Sequence, residues 1–136
     1  MMDPHVLNRV NQPAVQNSIL SGLTVDNIYI AVGYTDMRRS IDGLAAMVKQ
    51  VFKLDPCART LYLFCGRSSN RLKGLLWEGD GFLLLYKRLE NGGRFQWPRK
   101  QSEARSITPQ QLRWLLEGLA IEQPKALRRV ESVLVV

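Results

Sequence analysis

A chain of 136 residues with 19 Lys+Arg against 12 Asp+Glu, a net charge of +7, has room for one domain with a real core but not for two. Its apolar runs, such as Phe82–Tyr86, stop at strand length, which excludes a membrane-spanning helix. Two cysteines, Cys57 and Cys65, and one histidine, His5, are too few and wrongly spaced for a zinc centre; with no signal peptide they suit a reducing cytoplasm.

Residues 1–26 are polar and irregular, with Pro4 and Pro13, and read as a loosely ordered N-terminal arm. Val15, Ile19, Leu20 and Leu23 could supply a turn or two of helix there, and His5 reads as solvated. The domain proper is expected over 27–124, with a tail over 125–136 that has room for some helix and whose Val133–Val136 end could pair with a sheet edge. Ile28–Tyr34 is β-branched and aromatic, a strand broken at Gly33. Thr35 or Asp36 is a fitting N-cap for a helix that runs to about Lys53 and stops before Asp55-Pro56. Its buried stripe is Ile41, Leu44, Ala45, Val48, Val51 and Phe52. Thr60–Cys65 is the next strand, completing a right-handed βαβ unit. Arg38 and Arg39 fall in the first turn of the expected helix, where the macrodipole disfavours cations. Two readings are open: a phosphate site built from both arginines and free backbone N–H groups, or two solvated arginines offset by Asp36.

The stretch from Arg67 to Arg99 is cut by two turn signals, Glu78-Gly79-Asp80-Gly81 and Asn91-Gly92-Gly93. It reads as a three-stranded antiparallel meander over Arg71–Trp77, Phe82–Leu89 and Arg94–Trp97. With Gly79-Asp80 and Asn91-Gly92 as central turn pairs, Trp77 faces Phe82, Leu75 faces Leu84, Lys73 faces Tyr86 and Arg71 faces Arg88. In the second hairpin Tyr86 faces Trp97 and Arg88 faces Phe95. Alternation puts these on one basic-aromatic face, with Leu72, Leu76, Leu83, Leu85 and Leu89 on the other. Such a face suits nucleic acid, with cations on phosphates and Trp97 as a stacking ring. The alternative is that the rings are core and the arginine stems lie over them. Residues 67–105 hold nine basic and four acidic side chains, so much of the excess charge is concentrated here. The candidate nucleic-acid contacts are Arg38, Arg39, Arg67, Arg71, Lys73, Lys87, Arg88, Arg94, Trp97, Arg99 and Lys100.

Pro98–Ile107 reads as a charged linker. Thr108-Pro109-Gln110-Gln111 then opens a helix with a capping box and a proline at its first position. Its stripe is Leu112, Leu115, Leu116 and Leu119; it ends near Ile121 before Pro124, and Trp114 lies off the stripe. Catalytic patterns are weak. Asp42, Asp80 and Glu117 could be drawn as a two-metal nuclease triad, yet each has a sufficient local explanation on a helix surface or at a hairpin tip. Cys65 beside Arg67 could have a lowered pKa, but no histidine base accompanies it. No cofactor, metal or catalytic residue is expected.

Val32–Leu44, Leu63–Arg67, Asn70–Lys73, Trp77–Phe82, Tyr86–Glu90 and Arg94–Pro98, with the late Leu112–Gly118 helix, resemble the TnpB (Orf2-like) accessory proteins of the insertion-sequence-66 family. The resemblance covers about Tyr29 to Pro124, leaving the 1–26 arm outside it. The matching motif residues are Thr35, Asp36, Arg38, Ser40, Asp42, Arg67, Arg71, Lys73, Trp77, Asp80, Lys87, Arg88 and Trp97. Glu78 stands where the family has aspartate, and Asn91-Gly92-Gly93 is longer than its usual turn. The resemblance implies a bacterial mobile-element protein that assists DNA transposition, a form of DNA recombination, with strand transfer left to a separate transposase. The expected fold is α+β: a βαβ unit, the meander and a C-terminal helix. The expected partners are DNA, the element's transposase and its other accessory protein, with no membrane. Two alternatives stand beside DNA binding: a module whose basic face meets only an acidic surface of the transposase, and, more remotely, a metal-dependent nuclease.

Overall fold

The computed structural model describes residues 19–101 and 103–127. His5, Val15 and most of the expected arm lie outside the described residues, as does the Val133–Val136 end of the tail. The α+β architecture rests on one five-stranded sheet in the order β4-β3-β2-β1-β5. Its strands are β1 (Asn27–Ala31), β2 (Thr60–Cys65), β3 (Arg71–Trp77), β4 (Phe82–Arg88) and β5 (Ala104–Ile107). Two helices, α1 (Ile41–Ala46) and α2 (Pro109–Leu116), complete the set, α1 running on as a π-helical turn over Met47–Val51. β1 and β2 are parallel, with Ile28 beside Leu61 and Ile30 beside Leu63, so β1, α1 and β2 form the expected βαβ unit.

β2 is buried throughout because it has strands on both edges and a packed layer on both faces. Its alternation divides the core. Leu61, Leu63 and Cys65 join Ile30, Leu72, Leu112 and Leu115 on the α2 side. Tyr62 and Phe64 join Leu44, Val48 and Leu75 on the α1 side. From the arm, the short 3₁₀ turn Ile19–Gly22 and the residues after it meet the α2 side, where Leu20 is buried and Leu23 and Val25 pack on the core.

The β3–β4 hairpin has the expected register, with Trp77 opposite Phe82, Leu75 opposite Leu84, Lys73 opposite Tyr86 and Arg71 opposite Arg88. The third strand of the expected meander does not form. Arg94–Trp97 runs irregularly beneath the sheet and buries Phe95 and Trp97 among the α2-side residues. The Phe95 N–H donates to the Ser69 carbonyl at 2.7 Å, and the Trp97 indole N–H donates to the Ala31 carbonyl at 2.8 Å. Two large rings remove far more apolar surface from water in that layer than they would along a sheet edge. Trp97 is therefore a core residue rather than a stacking surface. The expected linker instead contains β5, antiparallel to β1 with Ile28 opposite Ile107.

The first helix starts later than Thr35 or Asp36. The Thr35 N–H donates to the Cys65 carbonyl at 2.8 Å, holding the chain alongside β2, and the Asp36 carboxylate accepts the Arg38 N–H at 2.9 Å. Such local Asp bonding competes with helix, so the helix waits until Ser40 caps it in an extended conformation. In α2 the Thr108–Gln111 capping box forms as expected. The helix stops at Leu116 and the chain turns at Gly118, whose φ is +81°, which leaves Leu119 exposed.

Candidate nucleic-acid interface

The loops that follow the parallel strands β1 and β2 lie side by side at the strands' carboxyl ends. Beyond the Thr35–Cys65 bond, Met37 packs on Gly66 so closely that a Cβ there would sit 2.7 Å from the Met37 Cγ. Between the loops is a cleft of about 510 Å³, whose wall includes Tyr34, Thr35, Met37, Arg38, Arg67 and Arg71.

The cleft is basic. Arg38, Arg67 and Arg71 line it against one carboxylate, Asp36. Arg38 and Asp36 form a two-pronged pair, Nε–Oδ1 at 3.0 Å and Nη2–Oδ2 at 2.7 Å. These hydrogen bonds hold the Asp36 carboxyl well below the usual carboxylate range. The Arg38 side chain nonetheless remains 91% exposed. Asp36 accepts the Arg38 N–H through its carboxylate and the Arg39 N–H through its carbonyl, so the backbone N–H groups of the two arginines are themselves taken and their contribution to a phosphate site is through the guanidinium groups. The arginines project from a loop rather than from a helix start.

Several of the other expected contacts have different work. Arg99 Nη2 donates to the carbonyls of Gly66 and Arg67 at 3.2 Å each and to the Ser69 hydroxyl. Arg94 donates to the Ser68 carbonyl. Both fasten the β2–β3 loop that carries Arg67. Lys73 donates from Nζ to the Arg39 carbonyl at 2.8 Å, joining β3 to the β1–α1 loop, and lies 5.8 Å from the Tyr86 ring centre. The guanidinium carbons of Arg67 and Arg99 sit 5.3 and 5.7 Å from the centre of the Tyr34 ring, which is itself largely exposed. Arg88 pairs with Glu90 at 2.9 Å, which offsets its position directly across from Arg71. Lys87 sits across from Leu72, on the α2 side of the hairpin, and Lys100 and Arg39 are exposed.

Sequence reasoning found the cleft arginines but missed Tyr34 and Met37 and read Thr35 as a helix cap. The signal was the run Gly33-Tyr34-Thr35 directly after a strand. Thr35 is 4% exposed, and its hydroxyl oxygen has no hydrogen-bond partner among the described residues. The remote nuclease reading loses its triad. Asp42 is on α1 and Glu117 ends α2, on opposite faces of the sheet, while Asp80 sits in the β3–β4 turn. Cys65 also departs from expectation, since burial pushes its thiol up to about 11 despite the nearby Arg99. Among the described residues no helix is long and apolar enough to cross a membrane.

Residues 26–126 match the family model described as "IS66 Orf2 like protein". The chain is 41% identical over 106 residues to the uncharacterized protein y4hO of Sinorhizobium fredii (strain NBRC 101917 / NGR234), covering 78% of this chain and 91% of the relative. It is 32% identical over 92 residues to the uncharacterized protein y4jC of the same strain, covering 68% and 78%. No solved structure matches the chain.

Proposed function

The chain belongs to the IS66 Orf2-like family of transposition-associated accessory proteins, and from that premise we propose that it binds DNA backbone through the basic cleft and its rim. The carrying observation is the convergence of Arg38, Arg67 and Arg71 on one cleft, with Arg39 exposed beside Arg38 and Asp36 as the lining carboxylate. Guanidinium groups held on anchored loops match phosphate oxygens in geometry as well as charge. Phosphate contacts position a protein without reading bases, so the binding is salt-sensitive and weakly sequence-selective. The role is non-catalytic: the protein holds DNA, the element's transposase, or both, while the transposase cuts and joins strands. Residues 27–124, with the 19–26 stretch that packs Leu20, Leu23 and Val25 on their core, act as the single functional domain.

The test is a salt titration of binding to element-end DNA and to random duplex of equal length. Engagement of Arg38, Arg39, Arg67 and Arg71 gives a log–log slope of about −3 to −4 on duplex. Combining Arg67→Ala with Arg71→Ala brings the slope about 2 closer to zero. No binding even at low salt overturns the DNA reading and leaves the transposase as the direct partner. One observation favours that second reading. Among the described residues β4 is a sheet edge bonded only to β3, and Tyr86 on it is 53% exposed, a surface suited to a protein partner.

A further inference from the structure

We propose that the cleft receives one unstacked nucleotide from a single-stranded DNA end, with its phosphate between Arg67 and Arg71 and its base on the Tyr34 side. This rests on the DNA-binding reading above and narrows it, because an intact duplex does not fill such a site. Duplex phosphates can meet the arginines across the open mouth of the cleft, but a stacked duplex presents no free base face to Tyr34 and Met37. A cleft of about 510 Å³ between two loops has the dimensions of a small-molecule site and admits a nucleotide that has left the base stack.

The lining supports the same ligand. A phosphate alone calls for cations and N–H groups, yet Met37 and the Tyr34 ring form part of this wall. The Arg67 guanidinium lies over that ring, and together they offer the aromatic and cationic surface on which unpaired bases stack. A separate observation is Thr35. Thr35 lines the cleft and is 4% exposed, and its hydroxyl oxygen, closed off from solvent, is a buried side-chain polar atom without a partner among the described residues. Buried polar groups in native proteins are almost always paired, so an unpaired hydroxyl directly behind the wall of a basic cleft gives a bound ligand a polar partner once a small shift of that wall opens it. The site is also pre-shaped. Arg99 and Arg94 hold the Arg67 loop by its carbonyls, and Met37 closes against Gly66, so little ordering is needed on binding.

The full chain is tested by fluorescence anisotropy against a blunt duplex and the same duplex bearing a 5′-phosphorylated single-stranded overhang, with dTMP, thymidine and inorganic phosphate as competitors. The expected result is a preference for the overhang of about tenfold or more. Of the competitors dTMP is the most effective, since thymidine lacks the phosphate and inorganic phosphate lacks the base. Thr35→Val lowers overhang affinity about threefold to tenfold and leaves blunt-duplex affinity unchanged, and Thr35→Ser retains the preference. Arg71→Gln provides a second variant at an exposed position and removes the preference as well. Equal binding to both DNAs, with equal losses in every variant, overturns the nucleotide site while leaving the backbone-binding reading intact. Failure to bind either DNA overturns both.

Discussion

Thr35→Val exchanges a buried hydroxyl for a methyl group of nearly the same shape, and the fold stands to gain from it. The Thr35 backbone N–H is already satisfied by the Cys65 carbonyl at 2.8 Å, and the residue is 4% exposed, whereas its hydroxyl oxygen has no partner among the described residues. Holding an unpaired polar group out of water costs about 1–3 kcal/mol, and valine fills the same space without that cost. The variant is therefore expected to be more stable than the parent by about 1–2 kcal/mol. In urea unfolding the midpoint rises by about 0.5–1 M with an unchanged slope. Thr35→Ala serves as the control: it removes the hydroxyl but also the methyl, so cavity formation offsets its gain. A lower midpoint for Thr35→Val refutes the reasoning, because it means that the hydroxyl is hydrogen-bonded in the free protein. A rise in stability together with a loss of overhang binding is the signature of a group kept for a ligand rather than for folding.

Gly66→Ala forces a Cβ to 2.7 Å from the Met37 Cγ, so it costs about 1–3 kcal/mol by thermal unfolding, and adding Met37→Ala recovers part of the loss. Because the Asp36 carboxyl is held well below its ordinary range by Arg38, its contribution is present above the unfolded pKa of about 4 and is lost as pH falls through that value and below. Asp36→Asn thus lowers the melting temperature at pH 7, with a difference that shrinks steadily below about pH 4, and it tightens DNA binding by removing a carboxylate from the cleft. Arg99→Ala and Arg71→Ala separate anchoring from contact in a salt titration: the first weakens binding at an unchanged slope, the second brings the slope about 0.9 closer to zero. A thiol reagent at pH 8 modifies exposed Cys57 first, and Cys57→Ser leaves a protein that reacts only on unfolding, since burial pushes the Cys65 thiol up to about 11.

The β3–β4 register was legible because Gly79 and Asp80 set the turn and alternation does the rest. The α2 start was equally plain, since Thr108, Pro109 and Gln111 each carry a local reason. What failed depended on distant partners. Ala104–Ile107 has one strongly apolar residue, and its strand exists only because the edge of β1 is free to pair with it. Phe95 and Trp97 follow a turn signal and look like a returning strand, yet the Ala31 carbonyl and the α2-side leucines draw them into the core. At the site, the basic excess over 67–105 was visible, but the division of labour within it was not. Arg94 reaches back 26 residues to Ser68, Arg99 33 residues to Gly66, and Lys73 34 residues to Arg39.

That division bears on what a basic patch means here. Summed charge treats each arginine as an equal contributor to a diffuse field, which accounts for attraction to a polyanion but not for shape. In this fold Arg94, Arg99 and Lys73 spend donors on backbone carbonyls, and the loops they fasten hold Arg67 and Arg38 on opposing sides of the cleft. A carbonyl is a weaker partner for a guanidinium than a carboxylate and leaves the positive charge uncompensated. The anchors therefore stiffen the loops without neutralising the site, whereas acidic anchors would have cancelled the field they were holding in place. Arginine is suited to both tasks because its planar fork can bind backbone oxygens through one edge while its charge still acts on the solvent side. The same residue type thus supplies the frame and the contacts, and composition alone does not separate the two.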